Sequence, residues 1–148
     1  IKDLVTMLEA LADNAPATQD IDFLTESVRQ AFFRIISNKF SVDGKLKVIV
    51  LDTGVEDLVG GSLQKTQQGA YPAMDPAVAE KLLHVVGDHA QGFLERGEQP
   101  VVLCSPKIRL PFKRFLERFL PQVAVVSFNE LAPELEIEAA GTVSLDEN

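Results

Sequence analysis

The chain has 148 residues, enough for one domain or two small ones and for a core that needs no covalent staples. With 46% hydrophobic and 24% charged residues it is globular in composition, and 22 acidic against 14 basic residues give a net charge of −8, which works against non-specific binding to nucleic acid or to an anionic membrane surface. A lone Cys104 excludes an internal disulfide framework and fits a reducing compartment, and no apolar run reaches the roughly 18 residues of a bilayer span.

Ile1, Leu4, Val5, Leu8, Leu11 and Ala12 fall at helical spacing, and Pro16 blocks continuation past Asn14. No capping residue, initiator Met or signal peptide precedes this pattern, so the chain reads as a piece cut from something longer. A second helix is expected after Asp20 or Asp22. Its apolar stripe is Phe23, Leu24, Val28, Ala31, Phe32, Ile35 and Ile36, with Glu26, Arg29, Gln30 and Arg34 on the opposite face. Residues 1–40 therefore read as a helical hairpin, closed by a turn at Val42-Asp43-Gly44-Lys45.

Composition then changes. Val48-Ile49-Val50-Leu51 is a continuous β-branched run, the mark of a buried strand, and a short helix over residues 55–63 is weakened by Gly60-Gly61. Residues 64–74, rich in Gln, read as a loop. Asp75-Pro76 opens a helix that runs to about Arg96 and stops at Gly97. Strands are expected at 101–105 and 123–128, with a turn at 106–110 and a helix from about Pro111 between them. That is a βαβ unit, whose strands should be parallel and share a sheet with 47–52. The tail from Glu136 to Leu145 alternates in part and adds a further strand. The fold class is α/β, an N-terminal helical hairpin followed by a small mixed-sheet subdomain.

Four groups of residues invite chemistry. Asp52-Thr53-Gly54 after a strand resembles the aspartic protease loop, but a single copy in a chain this helical fits a helix N-cap better. Cys104-Ser105-Pro106-Lys107-Ile108-Arg109 resembles the loop of Cys-based phosphatases, with four residues between Cys and Arg where that loop has five, and with Pro106 deleting an amide donor. His84 and His89 share a helix but are five positions apart, about 140° around it, which does not suit a shared metal. Finally, Lys107, Arg109, Lys113, Arg114 and Arg118 stand against the single acid Glu117, whereas residues 119–148 carry six acids and no Lys or Arg. Such segregation is either a solvated helix face beside an acidic tail or a contact surface for another subunit. Arg109, Lys113, Arg114 and Arg118 are the candidate contacts, since Glu117 cannot neutralise them all. No catalytic, cofactor-binding or metal-binding residue is assigned, so the expectation is a non-enzyme; a small α/β enzyme using Cys104 or Asp52 is the alternative.

The residues also carry a resemblance. Ile1-Lys2-Asp3-Leu4, Leu8-Glu9-Ala10-Leu11-Ala12-Asp13 and Leu24-Thr25-Glu26-Ser27-Val28-Arg29-Gln30-Ala31 resemble the cytoplasmic domain of the type III export-gate family, FlhA/LcrD. Later blocks agree in order: Val50-Leu51-Asp52, the stretch from Pro100 to Arg109, Leu116-Glu117-Arg118-Phe119-Leu120-Pro121, Val126-Ser127-Phe128-Asn129-Glu130-Leu131 and Ala140-Gly141-Thr142-Val143-Ser144-Leu145. Thr53 departs from the Pro that often follows the strand-end Asp in this family. The resemblance implies a protein with an N-terminal membrane domain and a cytoplasmic domain of four subdomains, assembled as a nonameric ring at the inner membrane. Residues 1–41 would then be part of the third, helical subdomain and 42–148 the fourth. The implied partners are other copies of the chain, other export components, and chaperones with their cargo, the last chiefly through subdomains absent here; no cofactor is implied. The Cys-Ser-Pro block and the Gly-Thr-Val-Ser-Leu ending lean towards flagellar members.

Overall fold

The computed structural model describes residue 9, residues 21–67 and residues 69–145. The expected first helix, and so the hairpin it would make, lies outside the described residues apart from Glu9. The second helix is present but broken, into α1 (Ile21–Ala31) and α2 (Phe33–Phe40). The break falls at Phe32, whose φ of −97° and ψ of 22° leave the helical range. After the Asp43-Gly44 turn come β1 (Lys45–Leu51), α3 (Thr53–Gly61), β2 (Leu63–Thr66), β3 (Gly69–Pro72), α4 (Pro76–Glu95), β4 (Val101–Cys104), α5 (Arg109–Glu117), β5 (Ala124–Ser127), a 3-10 turn (Phe128–Glu130) and β6 (Glu136–Val143).

The strands β5-β4-β1-β6 lie side by side in that order, and every pairing in this sheet is parallel. The three strands expected to share a sheet do so. The expected mixed sheet separates into this parallel sheet and an antiparallel hairpin, β2–β3, where a loop was expected over 64–74. Two strands of four residues, Leu-Gln-Lys-Thr and Gly-Ala-Tyr-Pro, offer no apolar alternation to read. They are held from outside, by packing of Tyr71 on the core and by contacts described below.

Helix boundaries follow local chemistry. The Asp52 carboxylate accepts the Val55 amide at 2.8 Å and starts α3 two residues earlier than expected. Asp75 accepts from Ala77 at 2.9 Å and opens α4 as expected. Helix α5 starts at Arg109, not Pro111, because a proline in the first turn of a helix gives up an amide that has no intrahelical partner anyway.

Alternation sorts the sheet residues onto two faces. Ile49, Leu51, Val102, Cys104 and Val125 point to α3, α4 and α5, where Val59, Leu82, Val86, Phe93, Phe112 and Leu116 complete the main core. Leu46, Val48, Val101, Leu103 and Val126 point the other way and are covered by Ile36 and Phe40 of α2. Buried Ser37 pins α2 in place: its hydroxyl accepts the Ala132 amide at 2.8 Å and shares its single proton between the Glu130 carbonyl at 3.1 Å and the Phe33 carbonyl of its own helix at 2.7 Å.

Candidate functional site

Cys104 ends β4 with no exposed surface, so burial, and after it the charge of Glu56, pushes its thiol well above the ordinary range. The amide of Ser105, which an anion-binding loop would offer to a phosphate, faces the Glu56 carboxylate at 3.3 Å. The guanidinium of Arg109 is turned away to Glu26 and to the Val125 carbonyl. The stretch from Cys104 to Arg109 thus presents neither a thiolate nor an anion cradle. Asp52 is spent on capping α3. His84 sits 3.3 Å from the exposed Asp88 carboxylate, while the ring of His89 lies against Gly141, so the two imidazoles face different surroundings.

The basic segment behaves differently from expectation. Arg109 is 4% exposed: its Nη2 donates to Glu26 at 2.8 Å, its Nε contacts both Glu26 oxygens at 3.0 Å, and its Nη1 donates to the Val125 carbonyl at 3.1 Å. Arg114 is half-buried and donates to both Asp22 oxygens, at 2.6 and 2.9 Å, and to the Ala70 carbonyl at 3.0 Å. Lys113 donates to the Val123 carbonyl at 2.9 Å. Only Arg118 of the four candidates is exposed. The expectation that this charge faces outward therefore fails for Arg109 and Arg114, because acids on α1 meet them inside the chain.

Those acids belong to a ladder. Along α1, Asp22, Glu26 and Arg29 come at spacings of four and three that keep them on one helix side, and Arg34 follows on α2. They meet Arg114, Arg109, Glu130 and Glu134 in turn. Arg29 bonds Glu130 through Nε at 2.5 Å and Nη2 at 3.1 Å. Glu130 is fully buried, and it also accepts the Ser127 amide at 3.0 Å and lies 3.8 Å from Arg109 Nε. Asp22 accepts the Ala70 amide at 3.1 Å, and Arg114 beside it holds its carboxyl below the ordinary range. The hairpin tip closes on this pair: a Cβ at Gly69, whose φ is 105°, would lie 2.6 Å from Arg114 and 2.7 Å from Asp22.

Helix α1 thus turns Asp22, Glu26 and Arg29 to the α/β body and leaves Ile21 and Phe23 outward, at 69% and 50% exposure. Beside the ladder runs a cleft of about 760 Å³ between α1 and the body, with Phe23, Ser27, Leu63, Lys65, Pro106 and Leu110 among its walls. The acids at 22, 26 and 130 went unassigned in the sequence, although two signals were legible there: the four-residue spacing of Asp22 and Glu26, and Ser127-x-x-Glu130, which is a capping box in the structure.

A model of the FHIPEP family matches residues 1–136. The chain belongs to the FHIPEP family. Flagellar biosynthesis protein FlhA of Bacillus subtilis is 36% identical over 146 residues, an alignment that takes in 98% of this chain and 22% of that protein. Among solved structures, the CdsV protein of Chlamydia pneumoniae superposes with a TM-score of 0.86 at 31% identity, over 98% of this chain and 42% of that one. A nonameric EscV cytosolic domain from the type III secretion system gives 0.75 at 29% identity, over 97% and 42%. This FHIPEP-family chain therefore spans about a fifth of the length of its curated relative and under half of each solved chain. A flagellar biosynthesis protein and a type III secretion protein thus both stand among its relatives. Among the described residues, no helix is long and apolar enough to cross a membrane.

Proposed function

We propose that the chain serves in the cytoplasmic part of a type III protein export gate, at the inner membrane, and acts through protein contacts rather than by catalysis. The carrying observation is the family match over 136 residues together with a fold shared at TM-score 0.86 with CdsV. The burial of Cys104 and the internal bonding of Asp52 and Arg109 support the non-catalytic part. Residues 1–41 belong to the helical third subdomain and 42–148 to the α/β fourth subdomain of such a gate. The subunits form a ring, for which the nonameric EscV domain is the precedent. Chaperones and cargo engage chiefly other parts of the gate. The system is flagellar, a reading supported by the 36% identity to FlhA. Of the basic candidates, exposed Arg118 contacts a neighbouring subunit or the linker from the membrane part; Lys113 supports its helix, and Arg109 and Arg114 serve the internal ladder.

The test removes codons 42–145 in frame from the chromosomal gene and measures hook and filament proteins in the culture supernatant. Their loss at normal growth is expected. Undiminished export would overturn the reading, and loss of virulence effectors alone would overturn its flagellar part.

A further inference from the structure

The ladder contains a quartet that can exchange partners. In the docked arrangement Glu26 pairs with Arg109 and Arg29 with Glu130, across the interface. Each side also holds its own alternative. On α1, Glu26 and Arg29 are three residues apart, a spacing at which opposite charges meet on a helix surface. On the body, Arg109 Nε and Glu130 Oε2 are already 3.8 Å apart. Exchange therefore leaves no charge of the quartet unpaired, which is what ordinarily makes parting a buried ion pair so unfavourable, and the pair that has no such exchange, Asp22–Arg114, is the one already partly open to solvent, at 23% and 26% side-chain exposure. The remaining contacts favour the same division. Helix α2 is fastened by Ile36, Phe40 and the bonds of Ser37 with Glu130 and Ala132, whereas no side chain of α1 joins either apolar cluster and its ion pairs with the body come from Asp22, Glu26 and Arg29. Between the two helices stands the break at Phe32.

We infer that α1 is a releasable strap: residues 21–31 swing off the α/β body about Phe32 as Glu26–Arg109 and Arg29–Glu130 exchange for Glu26–Arg29 and Arg109–Glu130, while α2 stays seated. Release opens the cleft beside the ladder and frees the tip of the β2–β3 hairpin, whose Ala70 amide is held by Asp22 when the strap is down. This adds a moving part to the proposed gate component, and it stands or falls independently of which export system the chain serves.

Two backbone amides read the strap. The Ala70 amide loses its acceptor on release, and the Ser127 amide keeps Glu130 in both arrangements. Amide exchange of the folded chain by NMR is measured between about 0.1 M and about 1 M NaCl, which shortens the screening length from ~10 Å to ~3 Å. Ala70 exchange should quicken by about tenfold while Ser127 and the amides of β4 hold steady. The variant Glu26→Arg/Arg29→Glu preserves the pair on the helix and leaves the body untouched, but sets like charge against Arg109 and Glu130. It should strip Ala70 of protection in a chain that keeps its Ser127 protection and its far-ultraviolet circular dichroism. Ala70 protection unchanged by both salt and the swap, or lost only together with that of Ser127, would overturn the inference.

Discussion

Glu130→Ala tests whether the buried charge centre is a structural keystone. Glu130 has no exposed surface, receives both donors of Arg29 and the Ser127 amide, and stands 3.8 Å from Arg109, which is itself 4% exposed. Removing the carboxylate leaves a buried guanidinium short of one counter-charge and a buried amide without an acceptor. Breaking a buried pair from one side costs about 3–5 kcal/mol. A domain of this size has roughly 5–15 kcal/mol of stability in all, and each kcal/mol moves Tm by about 2–4 °C, so the melting point should fall by of order 10 °C. Glu130→Gln keeps the volume and an acceptor for Ser127 and should fall between. Glu134→Ala is the control, because the Arg34–Glu134 pair has both side chains more than half exposed and such pairs contribute little to stability. Urea melts of the three variants beside the parent chain give the comparison. A Glu130→Ala chain within about 1 kcal/mol of the parent would refute the reasoning.

Other expectations rest on separate contacts. Gly141→Ala puts a Cβ 2.5 Å from the His89 ring and should cost about 1–3 kcal/mol in a thermal melt, with His89→Ala restoring part of the loss in the double variant. The Asp22 carboxyl is held below its ordinary range by Arg114, so its contribution is complete above the unfolded value near pH ~4 and disappears as pH falls through the lower folded value. The stability difference between the parent and Asp22→Asn in urea should accordingly be flat from neutral pH down to about pH 5 and shrink below about pH 4. Cys104 should resist a thiol reagent in the native chain and react at once in urea, because burial disfavours its thiolate. Arg118→Glu should melt within about 1 kcal/mol of the parent yet lower secretion when placed in the complete gene.

Three strands of the sheet, β1, β4 and β5, were legible because they are continuous apolar runs suited to a sheet covered on both faces, and α4 because Asp75-Pro76 fixes its start. The β2–β3 hairpin was not, since its order comes from the Asp22–Arg114 clasp on Ala70 and from Tyr71 rather than from its own composition. The same lack of long-range information hid the role of the charged side of α1. Its apolar stripe was visible, but the partners of its charged side lie from 83 to 101 residues away for Glu26, Asp22 and Arg29. Helical periodicity says which residues share a face; only tertiary charge complementarity says which face turns inward. For the candidate site, the local arithmetic of one acid among five bases suggested surplus positive charge, and it failed because neutralising acids came from another element.

The central claim is that the chain works as one subunit of an export-gate ring. The most direct measurement is cryo-electron microscopy of the complete protein purified from membranes. The account predicts a ninefold ring in which each cytoplasmic lobe contains the β5-β4-β1-β6 sheet, with Arg118 at a contact with a neighbouring subunit or linker. Isolated protomers at every concentration imaged, or a ring from which this α/β body is excluded, would contradict it.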